Sequence, residues 1–432
     1  KNLFKKDVLS VFPTYLYYSQ RITHIEAEIK IDPVNQTIES EGRVDFEVGY
    51  DKPAKFYLMV SLENASFWDE NGDAEFKIKN VFGIPMAEVV AKSELMKGEK
   101  SSLFFKLTGK PSCEPESLMG VLICTFSNEI SYSALELMTP SSISGDYATF
   151  DIKFVIPEGY ILASTGVTKE VSGNNDGTAT HHAVQDYPTE IHSFGFAPYN
   201  VSAMPFMEKW FRAYTLSNPV TELSLGKTLQ DMQDVVFHYS TQYGDFIFPK
   251  MEAIEIYNDA GAAFGWPTML MIPTYSWITE EFGRVTLFAH ELGHQWFPNM
   301  LKNYDSYAPW LSEGFAEFSA VTYINKRYGS DYERGYLRQL GLAYIYYLPP
   351  AYDFPLTSPD LYNVNNAWVY MLVTYYKGAF VLSMLKYVMG EEKFFAALRN
   401  LYADYAGQDK YYDTDILKTY FDAAYGEPID WG

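Results

Sequence analysis

The chain has 432 residues, of which 47% are hydrophobic and 20% charged, and its formal net charge at pH 7 is −22. That length exceeds one ordinary core, so two or three domains are expected, and the composition is globular rather than disordered. The acidity argues against nucleic acid as a partner, because phosphate binding needs a basic surface.

The first residues, KNLFKKDVLS, lack an initiator methionine, and Lys5, Lys6 and Asp7 interrupt any apolar core. They read as a processed N-terminus rather than a signal peptide. An exported or cell-envelope location is the expectation from acidity and the missing start, although a cytoplasmic protein would have a similar composition. No stretch approaches 18 apolar residues, so no membrane-spanning segment is expected. Three triplets starting at Asn35, Asn64 and Asn200 match glycosylation sequons, a pattern that also arises by chance.

Residues 1 to about 203 alternate apolar and polar with period two, as in RITHIEAEIKID (21–32), GRVDFEVGY (42–50) and KFYLMVSL (55–62). KSSLFFKLTG, LMGVLICTF and YATFDIKFVIPEGY continue the pattern, and SGNNDGT (172–178) supplies turn chemistry. This region is expected to be a curved sheet or sandwich. It contains both cysteines, Cys113 and Cys124, which are open to a disulfide or to two buried thiols. From about 204 the texture changes. Residues 219–244 carry helical periodicity with Thr221 as candidate N-cap, and KMEAIEIYN and WPTMLMIPTY read as strands. Helices dominate from about 279 onward. The fold class is therefore α+β, with domains at 1–203 and 204–432.

Two of the seven histidines lie in TLFAHELGHQWFPNM (286–300). On a helix, His290 and His294 fall on one face, one turn apart, and can converge on a small cation. Glu291 sits one step round the cylinder, where its carboxylate can take a proton from water. This is the mechanical content of H-E-x-x-H. A third protein ligand is needed. Glu313, in WLSEGFAEF, has eighteen residues between it and His294, enough for a helix to end and a second to pack antiparallel. Glu317 is one turn further on the same face and can accept a hydrogen bond from a ligand histidine.

With these residues in view, the sequence resembles the M1 zinc aminopeptidases of the gluzincin clan. HELGHQWF and WLSEGFAEF carry the resemblance, together with Tyr375-Tyr376-Lys377-Gly378, in which Tyr375 falls 62 positions after Glu313. It covers nearly the whole chain. It implies a saddle-like N-terminal β-sheet domain, then a thermolysin-like, mainly helical zinc peptidase domain. It implies one Zn²⁺ on His290, His294 and Glu313, with Glu291 as general base and Tyr375 as the donor to the oxyanion. The expected partner is a peptide or protein substrate. The C-terminal helical domain of larger members is not in this sequence, which implies a more open cleft.

One motif departs from the family. M1 enzymes carry G-x-M-E-N, or G-G-M-E-Y-P, on an edge strand whose backbone pairs with substrate and whose glutamate binds the free α-amine. Here the strand reads Gly261-Ala262-Ala263-Phe264-Gly265-Trp266-Pro267. Aligned on the proline, Gly265 takes the glutamate's place; aligned on the glycine, Phe264 does. Neither holds an ammonium by charge. Glu252, Glu255, Asp259 and Glu136 are the candidate substitute acids. A second departure, Pro298 in place of the family's usual glycine, falls at a helix end and is expected to be benign. Three readings follow: an aminopeptidase using another acid, a metallopeptidase acting on internal bonds or modified N-termini, and a non-catalytic peptide-binding protein.

Overall fold

The computed structural model describes residues 20–431 except 50–54, 59, 82–83, 92–94, 112, 114–123, 135–137, 142–146, 190–191, 217–218, 258–261, 304–307, 359, 362–365, 409 and 430. The chain forms two compact units, one ending at Tyr199 and the next resuming at Asn200. The division comes before residue 203 because Asn200–Phe206 pairs antiparallel with Lys209–Thr215 and opens the second unit's sheet.

The first unit is built on an eight-stranded sheet. Its centre is Gln20–Asp32, which runs antiparallel to Thr37–Val48 and parallel to Ala148–Pro157. The period-two pattern works as expected: Ile25, Ala27, Ile29 and Ile31 are buried on one face, while Glu26, Glu28 and Lys30 between them are exposed. Phe46, Leu103, Phe105, Phe150 and Phe154 complete the core. The run read as one strand at 55–62 divides between two sheets, Lys55–Leu58 in a three-stranded sheet and Val60–Asp69 in the large one. Cys113 and Cys124 are joined in a disulfide with Cα atoms 5.2 Å apart.

The second unit combines a five-stranded sheet with helices. In spatial order the strands are Asn200–Phe206, Lys209–Thr215, Lys250–Ile256, Met269–Pro273 and, at the edge, Phe264–Trp266. The helices are α1 (Pro219–Tyr243), α2 (Thr274–Ile278), α3 (Glu281–Gly293), α4 (Glu313–Tyr328), α5 (Ser330–Tyr347), α6 (Ala367–Met389), α7 (Glu391–Tyr405) and α8 (Thr414–Tyr425). Helix α1 starts at Pro219 rather than after Thr221, since a proline at the first helical position is already set for the helix and loses no needed N–H. Val285, Phe288, Ala289 and Leu292 of α3 pack into one core with Phe315, Phe318 and Val321 of α4. A buried ion cluster ties three helices. Asp231 of α1 meets Arg284 of α3 at 2.7 Å and Arg327 of α4 at 2.8 Å.

The expectation that no segment is long and apolar enough to cross a membrane is corrected by α6. Its 23 continuous helical residues contain an 18-residue window of mean hydropathy 1.2. The sequence concealed it because Lys377 and Lys386 break the apolar run, and the structure pairs both, with Asp353 at 2.8 Å and Glu333 at 2.9 Å. The helix packs against α4 and α5, and 39% of that window is buried.

Candidate metal centre

Helix α3 is started by Glu280, whose carboxylate accepts from the backbone N–H groups of Phe282 and Gly283 at 2.9 and 2.7 Å. It ends with His294 at the C-cap, so both histidines lie in its last turns on the side facing α4. Glu313 opens α4. The next residue, Gly314, lets α4 approach α6 closely: a Cβ there would sit 3.1 Å from Gly378 Cα and 3.1 Å from the Thr374 carbonyl. That contact brings Tyr375, in the widened turn Leu372–Lys377, to the same place.

The three ligand atoms offered by His290, His294 and Glu313 lie within 4.8 Å of one another. Glu313 Oε2 is 3.5 Å from His290 Nε2 and 3.3 Å from His294 Nε2. It is buried without a hydrogen bond of good geometry. Each imidazole has its other nitrogen engaged. His290 Nδ1 donates to Glu317 Oε2 at 2.8 Å, and His294 Nδ1 donates to the Phe297 carbonyl at 3.0 Å, with Ser312 Oγ 3.3 Å away. Those bonds leave both Nε2 lone pairs pointing at the same gap as Glu313. Two nitrogens and one carboxylate oxygen with an open fourth direction is the donor set of a catalytic zinc site. The residues present fit such a cation.

The electrostatics agree. Burial alone would push His290 down, yet Glu313 and Glu317 outweigh it and hold the imidazole well above its usual value. His294 is likewise raised, its burial overcome by Glu313. Burial would raise Glu313, but the two histidines drive it far below the usual carboxylate range. The gap attracts positive charge, and a bound cation would displace those protons. Glu291 is buried, and burial raises its carboxyl above the ordinary value against the opposing pull of the histidines. Tyr375 stacks on His290 with centroids 5.5 Å apart and planes at 4°. Burial and then Glu313 keep its hydroxyl protonated.

Three features had no signal in the sequence. Tyr336 of α5 donates to Glu317 Oε1 at 2.6 Å, steadying the carboxylate that orients His290. Gln295 donates to the Trp266 carbonyl at 2.9 Å and accepts from Thr268 N–H at 2.9 Å; Asn299 donates to the Gly265 carbonyl at 2.9 Å. The edge strand is thus pinned to the end of α3. Of the residues expected to align substrate, Phe264 and Gly265 lie in that strand, Ala262 and Ala263 just precede it, and Gly261 is outside the described residues.

Two of the four proposed substitute acids are already committed. Glu252 is buried and bonded to Lys250, Arg212 and Tyr214 at 2.6, 3.1 and 2.9 Å. Glu255 is buried and accepts from Leu216 N–H at 2.8 Å. Desolvation selects this outcome, since a buried carboxylate without partners is costly. Glu136 and Asp259 are outside the described residues.

Comparison with known proteins agrees with the geometry. Residues 239–431 match the family described as Peptidase family M1 domain. The chain is 27% identical over 293 residues to aminopeptidase N of Bos taurus, covering 61% of this chain and 29% of that protein. It is 29% identical over 163 residues to endoplasmic reticulum aminopeptidase 2 of Homo sapiens, covering 35% and 17%. The chain therefore spans less than a third of the length of these curated relatives. In fold it is similar to an M1 zinc metallopeptidase from Deinococcus radiodurans, with TM-score 0.75 at 16% identity over 94% of this chain and 91% of the other. The two histidines, two glutamates and tyrosine gathered on α3, α4 and α6 all fall within residues 239–431, the part of the chain that matches the M1 peptidase domain.

Proposed function

We propose that this protein is a zinc-dependent, aminopeptidase-like hydrolase of peptide bonds. The observation that carries the reading is the convergence of His290, His294 and Glu313 within 4.8 Å, beside the buried Glu291. Bound there, Zn²⁺ supplies Lewis acidity toward the scissile carbonyl and acidifies water. Glu291 takes a proton from the attacking water and passes it to the leaving nitrogen, so its raised proton affinity suits both transfers. The water oxygen ends in the new carboxylate, and the C–N bond breaks as the nitrogen receives its proton. Tyr375 donates its hydroxyl proton to the developing oxyanion as a hydrogen bond. Phe264–Trp266 forms the edge of the sheet, where an extended peptide can add as a further strand. The disulfide supports an exported or envelope location.

A second reading, with relaxed demand for a free α-amine, is favoured by Gly265. The strand is pressed so close to α3 that no side chain fits there, and Glu252 and Glu255 are held elsewhere. One experiment addresses both. A peptide mixture with free and acetylated N-termini is digested by zinc-loaded protein and by Glu291→Gln, and products are read by mass spectrometry. Glu291→Gln is expected to retain zinc and lose turnover; unchanged turnover would refute the mechanism. Cleavage confined to free N-termini would remove the second reading.

A further inference from the structure

Helices α5 and α6 run side by side, antiparallel. Glu333 near the start of α5 bonds Lys386 near the end of α6, Gly341 packs on the Phe380 ring, and Tyr347 at the end of α5 meets Trp368 at the start of α6 with centroids 6.1 Å apart. Their outer surfaces are apolar and uncovered. On α5, Leu342, Ile345 and Tyr346 are 38%, 68% and 75% exposed. On α6, Phe380, Met384, Tyr387 and Val388 are 40%, 49%, 89% and 58% exposed, a stripe at i, i+4, i+7 and i+8 that follows one helix face.

We infer that this two-helix face is the contact surface between two copies of the chain. Its area is one reason. These side chains expose on the order of 1,000 Å², against about 300–600 Å² for the largest apolar patch of a typical monomer and about 800 Å² per partner in a standard interface. Charge is the other. Two copies that each carry −22 repel over most of their surface. Residues 341–347 carry no charge, and the charges flanking the face are paired internally, Lys386 with Glu333 and Lys377 with Asp353. Arg338 is the one charged residue of α5 without a partner among the described residues, and arginine is a residue type enriched at interfaces. A twofold axis through the face would lay the α6 stripe of one copy along the α5–α6 groove of the other. Four helices would then pack by ridges into grooves, and both apolar surfaces would close in one isologous contact.

Sedimentation velocity tests this with the whole chain. Wild type is expected to sediment at twice 49.4 kDa, with the monomer appearing on dilution. A variant carrying Ile345→Glu and Tyr387→Glu is expected to be a monomer with the circular dichroism and zinc content of wild type; both positions are exposed, so neither charge enters the core. The inference is overturned if wild type stays monomeric at every concentration, or if the folded variant still dimerises. It is also overturned if monomeric wild type pellets with phosphatidylcholine vesicles, since the face would then be a lipid-contacting surface.

Discussion

A Cβ built on Gly265 would lie 2.4 Å from the carbonyl oxygen of Glu291, inside any real contact distance, and 2.9 Å from His294 Cβ. The absent side chain is therefore a packing requirement, since the edge strand rests directly on the helix end that carries Glu291 and His294. Gly265→Ala is expected to push strand and helix apart, lowering stability by about 1–3 kcal/mol and slowing peptide hydrolysis at least tenfold. Gly265→Glu is expected to fail in the same way and to leave the preference for free over acetylated N-termini no higher than in wild type. Melting curves, with rates on one peptide in both forms, check this. An alanine variant with native melting and kinetics would show that the close packing is not required.

Tyr336 is expected to matter through Glu317. Its hydroxyl holds one carboxylate oxygen at 2.6 Å while the other holds His290 at 2.8 Å. Removing a hydrogen bond to a charged group costs about 1.5–3 kcal/mol, and loss of an outer partner of a metal ligand weakens binding about tenfold or more. Tyr336→Phe should therefore release zinc faster to a chelator, while the fully loaded variant keeps kcat within about twofold of wild type. Equal release from both proteins would reduce Tyr336 to a packing residue.

Much of this site is legible in the sequence because it is local. Helical spacing alone puts His290 and His294 on one face, and Glu317 follows Glu313 by one turn. What is not legible is long range. Tyr336 meets Glu317 only because α5 folds back on α4, and nothing near residue 336 marks it. The sequence places the lost carboxylate at Gly265 or Phe264, while the tight fit at Gly265 depends on how closely the strand meets α3. The period-two texture announces a β-rich first unit, but it does not separate Lys55–Leu58 from Val60–Asp69, because alternation is the same in either sheet. Helix α6 eluded an apolar-run criterion through two lysines whose charges are neutralised only in three dimensions.

His238 gives the second unit an acid-sensitive term. It is buried between α1 and α4, with Nε2 3.2 Å from Thr322 Oγ1. The Thr322 hydroxyl donates to the Ser319 carbonyl at 2.8 Å, so the histidine is the donor to Thr322. Burial, then the charges of Lys326 and Lys386, lower its pKa from 6.5 to about 4. As pH falls through 6.5 the unfolded chain takes up a proton that the folded chain refuses until about 4, so stability is lost across that window and is flat below it. The full effect of such a shift is about 3 kcal/mol. Carboxylates titrate over part of the same range, so the readout is a difference: urea midpoints of wild type and His238→Gln are measured from pH 7 to 4. The variant is expected to lose less stability over that interval, by up to that amount. Parallel curves would mean that His238 takes up its proton equally in the folded and unfolded chain.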